Sequence, residues 1–126
     1  MNKPGLTGLS RLSAATKYSF KGLKAAWKYE EGFRLEIYLA LFFIPISFFI
    51  TEELAVRLCL IGSCFLILIT ELINSAIEAI VDRVSTEQHP LSGQAKDIGS
   101  STVFLAVILF IIIWGTTLYN YFQAYL

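Results

Sequence analysis

The chain has 126 residues, 56% of them hydrophobic, and a formal net charge of zero. A chain this short and apolar has no room for a sizeable domain outside a membrane, so one small membrane domain is expected. Charge is unevenly spread: Lys3, Arg11, Lys17, Lys21, Lys24 and Lys28 all precede the first acid, Glu30, which suits an N-terminal segment held at an anionic membrane surface and, without a second basic patch, argues against nucleic-acid binding.

The opening segment does not read as a signal peptide, because its basic residues run past position 20 with no apolar core between them. Residues 7–29 are predicted to form a surface helix. Leu12, Thr16, Phe20, Leu23 and Trp27 make an apolar stripe at helical spacing, beside a basic stripe of Lys17, Lys21, Lys24 and Lys28. Such a helix lies in the membrane interface, with Tyr18 and Trp27 as anchors and the lysines reaching for headgroups. Packing on a soluble core is the alternative, but little soluble core exists.

Three transmembrane helices are predicted to follow, at about 33–51, 54–82 and 94–120. The first has a short uncharged core with Pro45 inside it, so either Arg34 and Glu36 lie at the interface or the helix kinks. Thr51, Glu52 and Glu53 are its turn into the second span. Cys59 and Cys64 have no CxxC spacing and read as small buried hydrophobes. Residues 83–93 form a cytoplasmic loop. Basic residues cluster on the side of the N-terminus and this loop, which puts the N-terminus in the cytoplasm and the C-terminus outside.

The second span carries Glu71, Asn74, Ser75, Glu78 and Asp82 on one helical face. An ionisable group at membrane depth costs at least about 2.5 kcal/mol on translocon scales, so it faces a protein interior or water and marks a function. One chain of three spans is too thin to cover such a stripe, and further subunits are expected against it. Serving only as glue between subunits would suit Asn74 or Ser75, but not two carboxylates. Glu78, near cytoplasmic water and joined by Glu30 or Glu31, suits Mg²⁺, which takes one or two carboxylates plus phosphates. Glu71, two turns deeper, is a candidate general base for a buried hydroxyl, with Asn74 to orient it.

On the loop side, Ser92 and Gly93 look like the start of the third span, with Lys96 and Asp97 in its first turns, which is a natural phosphate site. His89 is either a further donor there or a solvated loop residue, and it makes no metal site with the cysteines. No Walker, GxGxxG or protein-kinase motif is present.

The stretch ELINSAIEAIVDR followed by HPLSGQAKDIGS, with YSFKGLKAAWKYEEGFRLE upstream, closely resembles the small prokaryotic diacylglycerol kinase family, and the likeness covers nearly the whole chain. The resemblance implies an all-α membrane protein: a homotrimer of three-span subunits, each with an N-terminal amphipathic surface helix, and active sites shared between subunits. It also implies a lipid kinase that uses Mg²⁺ and ATP to phosphorylate the 3-hydroxyl of 1,2-diacyl-sn-glycerol. Glu71 would be the base with Asn74 beside it, and Glu30 and Glu78 would hold the metal. The nucleotide would meet Arg11, Tyr18, Glu30, Glu78, Glu87, Gln88, His89, Lys96 and Asp97. The lipid would meet Arg11, Ser19, Lys24 and Trp27 on the surface helix, then Gly32, Arg34, Glu36 and Glu71, and Ser100 and Trp114 on the last span. Pro90, Phe20 and the Thr16-Lys17 pair depart from the family pattern. An undecaprenol kinase of the same superfamily would use the same carboxylates, and a small cation or proton channel lined by Glu71 and Glu78 is a remote rival that leaves the basic helix and Lys96 without a role.

Overall fold

The computed structural model describes residues 7–84 and 87–126. Lys3, and Ser85 and Thr86 of the expected loop, lie outside the described residues. Those residues form four helices and no strand: α1 Gly8–Tyr29, α2 Glu31–Ile50, α3 Leu54–Val84 and α4 Pro90–Tyr125. The last three are long and apolar enough to cross a membrane. This is an all-α membrane protein with an amphipathic first helix, as the hydropathy pattern predicts.

Each boundary has a local cause. Gly8 opens α1 at φ +58°, a left-handed conformation in which any Cβ is strained. Glu30 is extended and breaks the chain between α1 and α2, while its N–H still donates to the Ala26 carbonyl at 2.9 Å. Arg34, one turn into α2, reaches back over this corner. Its guanidinium donates to the carbonyls of Trp27 at 2.7 Å and Lys28 at 3.2 Å, capping the last turn of α1 where carbonyls lack helical partners. Thr51 ends α2 in extended geometry. Its carbonyl accepts from Arg57 at 2.7 Å, and its hydroxyl accepts the Glu53 N–H at 3.2 Å.

Two boundaries differ from the sequence expectation. The helix α2 runs unbroken through Pro45 and begins at Glu31, so Arg34 and Glu36 are helical residues of its first turns. The helix α4 begins at Pro90, four residues before the expected start. His89 is its N-cap, with Nδ1 accepting the Leu91 N–H at 3.1 Å, and a proline in the first turn needs no N–H partner and already has helical φ. Cys59 was expected to be buried and is exposed, whereas Cys64 is buried. They point to different sides of α3: Cys64 packs in the core, whereas Cys59 lines an open groove against Ile112 and Thr116 of α4.

The spans pack chiefly through α3 against α4, with α2 on α3. The core is Ala40, Leu60, Cys64 and Trp114, flanked by Phe43, Ile44, Phe110 and Ile113. The Phe43 ring stands edge-on to Trp114 at 4.9 Å and to Phe110 at 5.1 Å. Trp114 is only 2% exposed, and its indole N–H is shared between the Leu60 carbonyl and the Ser63 hydroxyl, both at 3.2 Å. Burying an indole needs such a partner, so this bond fixes α4 on α3. In contrast, Ala26 is the sole buried residue of α1, and that helix meets the bundle mainly at the α2 corner.

Candidate functional site

Acidic side chains from three elements converge beside that corner. Glu36 of α2 and Glu71 of α3 lie close to each other, and Glu36 Oε2 is buried without a hydrogen-bond partner. Glu71 is also within electrostatic reach of Glu78 and Glu30. It can come this close to α2 because residue 32 is glycine: a Cβ there would stand 3.0 Å from Glu71 Oε1. One turn on, Asn74 is 8% exposed. Its amide Nδ2 reaches toward Glu78 at a long 3.5 Å, and its Oδ1 is buried without a hydrogen-bond partner.

The stripe on α3 is thus not a free-standing row. It is seated between α2 and α4, with Glu30 at the α1–α2 corner. Two cavities adjoin it. One, about 730 Å³, runs between α1 and α3 past Ser19, Gly22, Ala26 and Glu30 on one wall and Leu72, Ser75, Ala76 and Ala79 on the other. The second, about 220 Å³, is an apolar slot among Leu39, Phe43, Ile67, Val107 and Phe110, and Glu36 is its one charged lining residue.

A third cavity, about 550 Å³, lies at the other end of the stripe. Asp82, Glu87, Gln88, His89, Ser92, Gly93 and Lys96 line it. Lys96 Nζ contacts Asp82 Oδ1 at 2.6 Å across α3 and α4, and this gives Asp82 a partner that the sequence alone did not. The structure therefore groups Glu87, Gln88, His89 and Lys96, while Asp97 is exposed and outside that lining.

Other expected residues stand apart. Arg11 is exposed on α1, and Tyr18 carries Lys21 over its ring at 5.9 Å. Lys24 is exposed, and Trp27 stacks edge-on against Tyr38 at 5.7 Å. Ser100 is exposed on α4. Arg34 is committed to the α1 carbonyls, and Trp114 to the core about 20 Å along α4 from the carboxylates at roughly 1.5 Å per residue. The sequence reading missed Gly99, where a Cβ would fall 2.6 Å from Asn74 Oδ1. A buried glycine one turn past Lys96 is a packing signal that can be seen in the sequence, but its partner cannot.

Among the described residues no three of His, Cys, Asp or Glu are grouped as a complete metal cage. Glu30 and Glu78 are both half-buried.

A model of the family described as prokaryotic diacylglycerol kinase matches residues 17–118. A Haemophilus influenzae protein named diacylglycerol kinase is 48% identical over 113 residues, covering 90% of this chain and 96% of that one. The Escherichia coli K12 protein of the same name is 44% identical over 116 residues, 92% of this chain and 95% of its own. One from Pseudomonas aeruginosa is 46% identical over 114 residues, 90% and 93%. With a match this long and this even along both chains, the protein belongs to the prokaryotic diacylglycerol kinase family.

Proposed function

We infer that this protein moves the γ-phosphate of ATP to the 3-hydroxyl of 1,2-diacyl-sn-glycerol, giving phosphatidic acid. The observation that carries this is Glu71, a carboxylate in a membrane-spanning helix, seated on Gly32. A base at that depth meets a lipid hydroxyl just below the headgroups without extracting the lipid. Glu71 accepts the hydroxyl proton, the lipid oxygen bonds to the γ-phosphorus, and the bond from that phosphorus to the ADP oxygen breaks.

Such a transfer depends mainly on positioning and charge neutralisation. Lys96, His89, Gln88 and Glu87 line the cavity that would take the nucleotide, and Arg11, Tyr18 and Asp97 are proposed as nucleotide contacts from outside that lining. Bound Mg²⁺, held by Glu30 and Glu78, would supply positive charge to the phosphates. Asn74 orients the carboxylates on either side of it. Ser19, Lys24, Trp27, Gly32 and Glu36 are the proposed lipid contacts. The exposed remainder of the stripe supports a homotrimer with shared sites, set in the bacterial inner membrane with the N-terminus cytoplasmic and the C-terminus periplasmic.

The test is phosphate transfer from labelled ATP in mixed micelles, with short-chain diacylglycerol and undecaprenol offered in parallel. Diacylglycerol is expected to be phosphorylated faster. A faster polyprenol reaction would reassign the substrate, and ATP-independent ion flux in liposomes without any transfer would remove the kinase reading.

A further inference from the structure

We propose that Gly99 is a positioning residue for phosphoryl transfer, its bare backbone being the seat that fixes the Asn74 amide and, through it, Glu78. The proposal deepens the lipid-kinase reading and rests on it.

Hydrogen bonding does not hold the amide firmly. Nδ2 meets Glu78 only at 3.5 Å, and the buried Oδ1 has no hydrogen-bond partner. An amide so weakly bonded is free to turn unless packing stops it. Packing does stop it. Asn74 Oδ1 occupies the space that a side chain at position 99 would fill, 2.6 Å from where a Cβ would be, with Ile77 Cδ1 at 3.5 Å closing one side. Any L side chain at 99 expels the oxygen and swings Nδ2 away from Glu78. Gly99 is also one turn beyond Lys96 on α4. The same contact therefore sets the register between the helix that carries Lys96 and the helix that carries the carboxylates.

The atom a methyl group would strike is the end of one side chain, not backbone. The helix pair can accept alanine at 99, and the cost falls on where the amide points. Small misplacements at a reacting centre are expensive, so Gly99→Ala is expected to lower kcat by about tenfold to a hundredfold. The lipid KM and the melting temperature should stay near those of wild type. Gly115→Ala on the same helix, where a Cβ meets nothing within 4 Å, is the matched control.

The deciding measurement is a double-mutant cycle on the full-length protein in mixed micelles. Against an Asn74→Ala background, adding Gly99→Ala is expected to change kcat by less than about twofold, because the seat then has no occupant. Unchanged kcat in Gly99→Ala, or independent losses that multiply in the double variant, would overturn the proposal. The side-chain amide resonance of Asn74, followed by NMR, reads the seat without activity: it should move in Gly99→Ala and stay in Gly115→Ala, and an unmoved signal counts against the seat. Should Gly99→Ala fail to fold, recovery of folding in the double variant would support the contact, and its absence would overturn it. Wild-type protein inactive on diacylglycerol would sink the lipid-kinase reading instead, with the NMR comparison still judging the seat.

Discussion

Glu71 and Glu78 are two turns apart on α3, and their neighbours differ. Glu71 lies close to the Glu36 carboxyl and the Gly32 backbone, whereas Glu78 meets the Asn74 amide on the side toward the Lys96 cavity. Glu71→Gln is therefore expected to cut kcat by about 10²–10⁴-fold, the usual worth of a general base, while a fluorescent ATP analogue still binds. Glu78→Gln should weaken Mg-ATP binding as well. Near-normal turnover of Glu71→Gln at saturating lipid would remove its role as base. Trp114 makes a different prediction. Trp114→Phe keeps the ring stack and loses the bond to Leu60 and Ser63, so it should cost about 1 kcal/mol of stability with an unchanged KM for the lipid. A raised KM would place that indole against the lipid. The carboxylates were legible in the sequence because helical spacing puts them on one face. The family resemblance grouped Gly32 and Glu36 with Glu71, but the close approach of Gly32 to Glu71 and of Gly99 to Asn74 was not legible, because those contacts join residues on separate helices.

At the scale of elements, the corner between α1 and α2 is bridged by the Arg34 side chain, with the Trp27 and Tyr38 rings in contact beside it. Arg34 donates to two carbonyls that have no helical N–H to accept. Arg34→Ala should loosen α1 alone: trypsin should cleave faster at Lys24 and Lys28, with α2 to α4 still protected. Equal protection in both proteins would show that the corner is held by other contacts. The start of α4 teaches a complementary lesson. Serine and glycine at 92 and 93 look like a helix start, and histidine is not among the common N-cap residues. Pro90 was the available signal, since proline is favoured in the first helical turn. Its neighbour His89 is then fixed by geometry rather than loose in a loop.

For the whole molecule, length matters. With 31 residues in α3 and 36 in α4, these helices extend to about 46 and 54 Å at helical rise, against roughly 30 Å of bilayer hydrocarbon. Both project beyond it, and the pair Asp82 and Lys96 joins them at the end that carries the nucleotide-sized cavity. In a single chain Ile69, Ile73 and Ile80 of α3 stay exposed on the face opposite the polar stripe, where apolar side chains suit lipid. On the polar face Glu71 and Glu78 are only half-buried and Asp82 is exposed, and association that covers this face is the expected remedy. In mild detergent the protein mass is predicted to be three times the 14.1 kDa chain, by light scattering corrected for detergent. A monomer that retains full activity would contradict shared sites.

The sequence by itself determined the class: an amphipathic N-terminal helix, three apolar spans, and a set of carboxylates whose spacing and motif identify the family. Periodicity and composition suffice there because each is a property of one helix in one solvent. The tertiary structure alone decided what surrounds those carboxylates. It placed Glu36 near Glu71, Asp82 against Lys96, Arg34 on the end of α1 and Trp114 in the core, and it turned two glycines into seats for Glu71 and Asn74. Those relations depend on how far apart and in what register the helices pack, which local sequence does not encode.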